Sequence, residues 1–335
     1  MKKIVDILHD LYLRLDDWGC SPQHREVVES AIAQNNWFSE GDIDFAIRAI
    51  RDEMLHPQKV AHWLEGYENL PLPSPENILI IMAGNIPLVG FFDLICTLAV
   101  GDRAFVKPSS KDSALTSYMI EQLKEIEPNI PILIYNESED LPKINRVIAT
   151  GSDATAKIFR EKYSKLPILL RGTRHSVAVL SGAESTQELD LLRDDIYRYS
   201  GLGCRNVSMI FTPRLDRLKL EHYPTHPKYR NNYLQTHALM TLKGTMFYDN
   251  GSSIFVESQE FPTSLSAISV VEYSDLDEVR DWLATHDTEI QCVVGGDKVS
   301  HSRSVAFGEA QRPRLCDYPD EIDVLKFLRG VLFSP

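Results

Sequence analysis

Short apolar runs alternate with helix-forming segments from residue 77 onwards, and this alternation constrains the fold more than any other feature of the sequence. Residues 78–82 form a continuous apolar run, which is typical of a strand buried on both faces. A helical pattern at 88–99, a second apolar run at 103–106 and a second helical pattern at 112–125 follow. Strands joined through helices in this way predict βαβ units and a parallel sheet.

The pattern continues through apolar runs at 130–134 and 146–149 and a helix that starts at Asp153. In open parallel sheets, ligands bind beyond the carboxyl ends of the strands, where the loops into the helices lie. The sequence therefore predicts ligand-binding loops at residues 83–87, 107–111 and 150–152.

Residues before the first strand are predicted to form a helical lead-in, from residue 3 to about 67. Apolar side chains recur there at helical spacing, and Ser21-Pro22 offers an N-cap followed by a proline at the first helical position. The proline-rich stretch at 70–75 then ends the helical structure.

A second α/β domain is predicted beyond residue 180. Further strands and helices are expected at residues 177–180, 186–199, 207–211, 268–273, 275–286 and 290–294, and the polar segment 214–236 is expected to be irregular. We expect a lead-in and nucleotide-binding domain at 1–180 and a catalytic domain at 181–310. Residues 311–335 are expected to be a C-terminal segment that could return to the first domain.

Charge and cysteine content exclude several classes of protein. The formal net charge of −13 is spread over both halves, which argues against nucleic acid or an anionic membrane as the main partner. The five cysteines show no C-x-x-C spacing, so neither a disulfide framework nor a metal site is predicted. No stretch approaches the roughly 18 apolar residues of a membrane span, and we expect a cytoplasmic protein without an integral membrane segment.

Cys204 is the strongest candidate nucleophile. It lies in Gly201-Leu202-Gly203-Cys204-Arg205-Asn206, between a predicted helix and a predicted strand. A reactive thiolate needs partial exposure and nearby N–H donors or positive charge, which the glycines and Arg205 could supply. The alternative is a turn in which a small packed thiol is structural.

Thr150-Gly151-Ser152 follows an apolar strand and opens a helix, which is the geometry in which a helix N-terminus binds phosphate. The alternative is an ordinary helix N-cap. The βαβ region contains no Gly-x-Gly-x-x-Gly motif, so a dinucleotide would have to be held in another way.

Taken together, the loops resemble the aldehyde dehydrogenase superfamily, and within it the long-chain acyl-CoA reductases related to the fatty-acid reductase of bacterial luminescence (LuxC-type). Four superfamily motifs occur in order between about residue 77 and 300, and they match Asn85-Ile86-Pro87, Lys107-Pro108-Ser109, Thr150-Gly151-Ser152 and Gly203-Cys204. Longer matches to the reductases cover 84–90, 106–112 and 201–208. The resemblance implies an α/β fold with a Rossmann-like parallel-sheet nucleotide-binding domain and a second α/β catalytic domain.

The resemblance also implies a role for each matched residue. Cys204 would be the nucleophile, and the Asn85 amide would join the Cys204 backbone N–H in an oxyanion hole. Lys107 would bind the adenosine ribose, and Ser152 at the start of its helix would hold the pyrophosphate. Taken singly, Asn85 could be a turn residue and Lys107 a surface lysine. The implied cofactor-binding residues are Lys107, Ser109, Ser110, Lys111, Thr150, Gly151 and Ser152.

One departure from the superfamily concerns the product. Relatives that release free acid carry a general-base Glu in a Glu-Leu-Gly-Gly motif, and here that stretch reads Leu170-Arg171-Gly172-Thr173. Leu170 stands where the base would be. Without a carboxylate to activate water, a Cys204 thioester should resist hydrolysis and wait for a hydride.

Two further positions bear on the cofactor. NAD-preferring relatives carry a Glu three residues after the lysine, whereas this chain has Ser110 followed by Lys111, which favours NADPH and leaves NADH possible. The Glu-x-Phe-Gly-Pro motif that positions the nicotinamide ribose has a loose counterpart in Gln259-Glu260-Phe261-Pro262, which makes Glu260 the third candidate catalytic residue.

These observations predict an acyl-CoA reductase that uses NADPH to reduce a fatty acyl thioester, acyl-CoA or another donor, to the aldehyde through a cysteine acyl-enzyme. The superfamily also makes a homo-oligomer an open possibility. One alternative is a Cys-dependent acyltransferase or thioesterase, in which His175, His222 or His226 would pair with Cys204. Another is a non-catalytic relative that acts as a binding protein.

Overall fold

The computed structural model describes residues 2–136 and 142–330. The α-helices are α1 (Ile4–Arg14), α2 (Pro22–Gln34), α3 (Glu40–Ile50), α4 (Pro57–Glu65), α5 (Phe91–Val100), α6 (Ser113–Ile126), α7 (Asp153–Lys162), α8 (Thr186–Tyr197), α9 (Pro227–Lys243), α10 (Leu276–Thr285) and α11 (Val324–Leu328). The strands are β1 (Asn77–Ile81), β2 (Arg103–Lys107), β3 (Ile132–Ile134), β4 (Arg146–Thr150), β5 (Ile168–Arg171), β6 (His175–Val179), β7 (Val207–Thr212), β8 (Tyr248–Asp249), β9 (Ile254–Glu257), β10 (Ala267–Glu272), β11 (Ile290–Val294) and β12 (Ser304–Val305).

The described residues divide into two compact units, the first with residues 2–136, 142–173 and 313–330 and the second with residues 174–312. The first unit contains a parallel sheet with the strand order β3-β2-β1-β4-β5. Successive connections run to one side of β1 and then to the other, so the order reverses between β1 and β4. Ligands of doubly wound sheets bind at such a reversal, beyond the carboxyl ends of the strands.

Side chains along β1 alternate between two apolar layers, as the period of two residues in a strand requires. Ile78 and Ile80 are fully buried in a layer that also contains side chains of α1, α5 and α6. Leu79 and Ile81 point to the opposite face and pack in a second layer, which Phe159 of α7 joins. Both faces of the sheet are therefore covered, which explains why β1 reads as a continuous apolar run.

The helical lead-in packs into the first of these layers. Leu8 and Leu11 of α1 are fully buried there, together with Val324 and Leu325 of α11. Ser21 accepts a hydrogen bond from the backbone N–H of His24 at the start of α2, so the predicted N-cap is confirmed.

The C-terminal segment of the first unit is tied to the lead-in through polar side chains. Trp63 Nε1 donates to Tyr318 Oη at 2.7 Å, and Tyr67 Oη donates to Asp323 Oδ2 at 2.8 Å. Because these groups are partly buried, their hydrogen bonds compensate for the lost contact with water.

A buried ion pair joins the end of β5 to α5. Arg171 Nη1 lies 2.5 Å from Asp93 Oδ2, and both side chains are almost fully buried. Burial by itself lowers the pKa of the Arg171 guanidinium, but the charge and hydrogen bond of Asp93 outweigh it and leave that pKa above its ordinary value. Each charge is therefore tolerated only because the other is present.

The second unit contains a sheet with the order β12-β11-β6-β7-β10-β9-β8, in which all neighbours are parallel except β8 and β9. Its core includes Val177, Met209 and Phe211 from the central strands and Val279 and Leu283 from α10. The expected fold class is confirmed: a mixed α/β chain with a parallel sheet and a helical N-terminal lead-in.

One expectation about this unit was wrong. Residues 227–236, which were expected to belong to an irregular connection, form the first part of α9. Its apolar residues do not gather on one face, and Leu234, Leu239 and Leu242 are exposed, so no helical periodicity is visible. The readable signals are at its ends, where Pro227 occupies the first helical position and Gly244 the left-handed C-cap.

Within the described parts of the chain, no helix combines the length and apolar character needed to cross a membrane. The same residues contain no group of three or more His, Cys, Asp or Glu side chains that could hold a metal ion.

Replacing Arg171 by Leu should lower the free energy of unfolding by about 3–5 kcal/mol, because Asp93 is left buried and unpaired. Replacing both residues by Leu should cost less than the single change. Urea unfolding followed by tryptophan fluorescence measures this. Arg48→Leu is the matched control, since it breaks an exposed ion pair with Asp44 and should cost no more than about 1 kcal/mol. Equal costs for Arg171→Leu and Arg48→Leu would contradict the account.

Candidate functional site

The cysteine turn, residues 201–206, follows α8 through an unusual backbone reversal. Tyr199 and Ser200 have φ values of 54° and 55°, and Gly201 has a φ of 68°. Left-handed geometry is unfavourable for residues other than glycine, and it persists only where surrounding contacts enforce it. The reversal ends the predicted helix at Tyr197 rather than 199 and presents Cys204, which is exposed, before β7.

Asn206 supplies the contacts that hold this reversal. Its side chain is buried, and its Oδ1 accepts a hydrogen bond from Gly203 N at 2.8 Å. Its Nδ2 donates to the backbone carbonyls of Asp195 (3.1 Å), Ile196 (3.1 Å) and Arg198 (2.9 Å). The carbonyl groups at the end of a helix lack intrahelical partners, so one amide satisfies the end of α8 and fixes the cysteine turn to it.

The backbone of Cys204 is also held from the neighbouring strand. Ser176 of β6 is fully buried, and its Oγ donates to the Cys204 carbonyl oxygen at 2.9 Å. The same Oγ accepts from the backbone N–H of Cys292 in β11 at 3.2 Å. The main chain at Cys204 is thus bound to β6 through Ser176, which β11 also contacts, while the Cys204 side chain is exposed.

A buried carboxylate connects α8 to the turn at residues 308–310. Asp195 accepts from Gly308 N at 2.7 Å and from Ala310 N at 3.0 Å, and the Arg205 side chain donates to the Ala310 carbonyl. Burial raises the pKa of Asp195 to about 7, although the two N–H groups act in the opposite direction. Arg205, expected as a cation beside the thiol, therefore also holds this turn.

Glu260 lies on an exposed loop whose backbone is anchored. Its carbonyl accepts from Ser269 Oγ at 2.6 Å, and its N–H donates to Ser258 Oγ at 3.1 Å. The next residue, Phe261, stacks on the His175 ring with centroids 4.1 Å apart. His175 Nδ1 lies 3.3 Å from Ser208 Oγ of β7, so the Glu260 loop is attached to the strand that follows the cysteine turn.

Two of the histidines considered as partners of Cys204 contact other residues, His226 through its ring and His222 through its backbone carbonyl. His226 is the N-cap of α9, where its Nδ1 accepts from Lys228 N at 3.2 Å. The His222 carbonyl accepts from Arg193 at 3.1 Å.

In the first unit, the loops that follow β1 and β2 lie side by side because these strands are paired. Met82 N donates to the Lys107 carbonyl at 3.0 Å. Gly84 packs so closely on the second loop that a Cβ atom built on it would lie 2.5 Å from Ser109 Oγ. Asn85 is the next residue and is exposed, so its loop contacts the predicted cofactor residue Ser109 through Gly84.

The remaining cofactor candidates lie at the same edge of the sheet. Lys107 ends β2 and is half-buried, and Ser110 and Lys111 are exposed beyond it. Ser109 Oγ accepts from Lys111 N at 3.2 Å, which shapes this loop. The two ammonium groups and the hydroxyls fit a phosphorylated, hydroxyl-rich ligand such as a dinucleotide.

The Thr150-Gly151-Ser152 turn connects β4 to α7, as predicted. Gly151 N donates to the Arg171 carbonyl at 3.1 Å. Ser152 is the N-cap of α7, and its Oγ accepts from Thr155 N at 3.4 Å. Ser152 therefore caps the helix. It is also exposed at the helix N-terminus, where the helix dipole favours an anion.

Leu170, which stands in place of a general base, lies near the end of β5. Leu170 is partly buried and packs in the apolar layer with Phe159. Two carboxylates near this strand end have backbone or cationic partners: Asp153 Oδ1 accepts from Thr173 N at 2.9 Å, and Asp93 pairs with Arg171.

Sequence reasoning missed the side chains that hold the candidate site, notably Asn206, Ser176 and Asp195. Asn206 lies within the recognised motif, but its motif position does not reveal that it bonds three carbonyls. Ser176 and Asp195 carry no sequence signal, because their partners are distant in the chain or depend on the turn geometry.

Solved structures with a similar fold are aldehyde dehydrogenases. Aldehyde dehydrogenase 21 from Physcomitrella patens, solved with succinate, aligns with a TM-score of 0.68 and 13% identity over 98% of this chain and 83% of its own. A Bacillus cereus aldehyde dehydrogenase in complex with NAD+ aligns at 0.60 and 14% over 89% and 74%. Staphylococcus aureus betaine aldehyde dehydrogenase, with NAD+ and a BME-modified cysteine, aligns at 0.60 and 12% over 95% and 74%.

No curated protein matches the sequence. The family model of the LuxC acyl-CoA reductases matches residues 34–223, which are more than half of the chain. The matched range contains Asn85, Lys107 and Cys204, whereas Glu260 lies outside it. Family and fold together confirm the resemblance drawn from the motifs and describe an oxidoreductase that acts on aldehydes: the chain belongs to the acyl-CoA reductase (LuxC) family.

Proposed function

We propose that this chain reduces fatty acyl thioesters, such as acyl-CoA, to aldehydes with NADPH through an acyl-enzyme on Cys204. The observation that carries the proposal is the cysteine turn, in which an exposed thiol stands on a backbone fixed by Asn206 and Ser176. A fixed backbone holds a nucleophile in one attack geometry, which lowers the entropic part of the barrier. Membership of the acyl-CoA reductase family supports the substrate class.

In the first step, Cys204 Sγ would attack the thioester carbonyl carbon and form a new C–S bond, and the carbonyl electrons would move onto oxygen. The Cys204 backbone N–H and the Asn85 amide are the proposed donors to this oxyanion. Collapse of the tetrahedral anion breaks the bond to the coenzyme A sulfur, which leaves as a thiolate and takes a proton from water.

In the second step, the acyl-enzyme carbonyl carbon would accept a hydride, which is the chemistry that NADPH would supply when bound. The same N–H donors would stabilise the second tetrahedral anion. Its collapse releases the aldehyde and returns the electron pair of the C–S bond to Cys204 Sγ, which is then ready for another substrate.

The absence of a carboxylate at residue 170, near the end of β5, supports reduction over hydrolysis. Hydrolysis of the thioester would need a carboxylate that can take a proton from water. Leu170 cannot do this, and the nearby Asp93 and Asp153 are engaged with Arg171 and with the backbone N–H of Thr173. The acyl-enzyme should therefore persist until a hydride arrives.

We assign the cofactor to the first unit and the nucleophile to the second. Lys107, Ser109, Ser110 and Lys111 would hold the adenosine ribose and its 2′-phosphate, and the turn from Thr150 to Ser152 would hold the pyrophosphate. The NAD+ complexes of the Bacillus cereus and Staphylococcus aureus proteins support a nicotinamide dinucleotide. Glu260 is proposed to orient the nicotinamide ribose.

Cys204→Ala should abolish NADPH consumption and aldehyde formation with a panel of acyl-CoAs, because loss of a nucleophile removes the covalent route and costs on the order of 10⁶ in kcat in the best-studied case. Cys20→Ala is the matched control, since it removes another exposed thiol and should leave both rates unchanged.

Aldehyde formation that survives in Cys204→Ala would contradict the proposal. Wild-type release of free acid without NADPH consumption would favour a thioesterase, and tight NADPH binding without turnover on any thioester would favour a binding protein.

Ser110→Glu should lower the preference for NADPH over NADH, measured as the ratio of kcat/KM values, by about tenfold or more, because a carboxylate repels the 2′-phosphate and can accept from the ribose hydroxyls of NADH. Ser164→Glu adds the same charge at an exposed position beyond the C-terminal end of α7, the end opposite Ser152, and should leave the ratio unchanged. An unchanged ratio in Ser110→Glu would refute the assignment of this loop.

A further inference from the structure

Asp112 occupies the N-cap position of α6 but does not cap that helix. The residue is 1% exposed, and its Oδ2 accepts from the backbone N–H of Leu88 at 2.7 Å. The cap of α6 comes instead from Gln34, whose Oε1 accepts from Ala114 N at 2.9 Å and from Ser113 Oγ at 3.1 Å. Aspartate is among the best N-cap residues, so the orientation of the Asp112 carboxylate towards Leu88 needs an explanation other than helix capping.

The partner of Asp112 ends the Asn85 loop, residues 84–88. Leu88 has a φ of 58°, which is left-handed geometry, and its side chain is buried. A leucine in that conformation is strained by about 1–2 kcal/mol and stays there only when its surroundings hold it. The hydrogen bond from its N–H to Asp112 is such a constraint, and it also satisfies a buried donor.

The beginning of the Asn85 loop is held as firmly. Asn35 is 5% exposed, and its Nδ2 donates to the Gly84 carbonyl at 2.9 Å. Gly84 also packs on Ser109, with no room for a Cβ atom between them. Asn85 is thus an exposed residue on a short loop that is clamped at both ends.

The surroundings of Asp112 indicate that stability alone does not explain it. Its Oδ1 is buried and has no hydrogen-bond partner within the described part of the chain. Burial raises the pKa of Asp112 well above its usual range, although the Leu88 N–H acts in the opposite direction. A buried carboxyl with one unsatisfied oxygen costs free energy, and such costs are concentrated at functional sites.

We propose that Asp112 is a positioning residue that fixes Asn85 for oxyanion stabilisation and couples it to the cofactor loop at residues 107–111. This rests on the proposed function of Asn85. Asp112 directly follows Lys111, and its backbone N–H donates to the Ser109 carbonyl at 3.0 Å. Asp112 therefore connects, through its backbone N–H and its carboxylate, the segment that would bind the cofactor to the segment that would stabilise the reacting oxygen.

Asp112→Ala should lower kcat for aldehyde formation by about 10- to 100-fold, because small displacements of a catalytic group have effects of that size. The KM for acyl-CoA should change little. Asp112→Asn keeps an oxygen that can accept from Leu88 N–H and should restore most of the rate. Gln34→Ala is the matched control: it removes the cap of the same helix, so it should lower the urea midpoint and leave kcat unchanged.

The double variant with Asn85→Ala separates positioning from general damage. If Asp112 acts through Asn85, Asp112→Ala should cost almost nothing in the Asn85→Ala background. An equal loss in both backgrounds would overturn the proposal, and so would an Asp112→Asn variant as slow as Asp112→Ala.

A replacement variant and two outcomes for Asn85→Ala complete the test. Asp112→Ser, whose hydroxyl is too short to reach Leu88 N–H, replaces Asp112→Ala if the latter does not fold, with the same expected loss. If Asn85→Ala itself keeps full activity, the oxyanion role fails, and the positioning role fails with it. If Asn85→Ala is slow but Asp112→Ala is not, only the positioning role is refuted.

Discussion

The side-chain amide of Asn206 is the contact on which the candidate active site depends. It bonds three carbonyls at the end of α8 and the N–H of Gly203, and so enforces a reversal that Tyr199 and Ser200 would not adopt alone. The conformational strain of the left-handed residues is offset by these hydrogen bonds, which also satisfy carbonyl groups that have no partner within α8. The reversal makes Cys204 accessible while its main chain stays bound to β6 through Ser176.

Buried carboxylates serve three different ends in this chain. Asp93 neutralises Arg171 and ties β5 to α5. Asp195 binds two backbone N–H groups and ties α8 to the turn at 308–310. Asp112 does not cap its own helix, and its carboxylate instead binds the loop that carries Asn85. Asp93 is tolerated because Arg171 neutralises it, whereas Asp195 and Asp112 order backbone near candidate functional residues, which is consistent with local compromises at functional sites.

The sequence predicted the features that depend on local patterns. The apolar run of β1 and the turn at Thr150 were readable because a strand buried on both faces and a loop into a helix each leave a local signature. α9 was missed since its apolar residues do not form a stripe. The bonds of Asn35, Asp112 and Ser176 could not be predicted, because packing between distant segments decides which polar groups meet.

The most direct test of the central claim is the intact mass of the protein after mixing with an acyl-CoA in the absence of NADPH. We expect a mass increase equal to one acyl group, located on the peptide that contains Cys204, which persists and is lost as aldehyde when NADPH is added. The lack of a hydrolytic base at Leu170 is what should make this species long-lived. No adduct at Cys204, or its rapid loss as free acid before NADPH is added, would contradict the account.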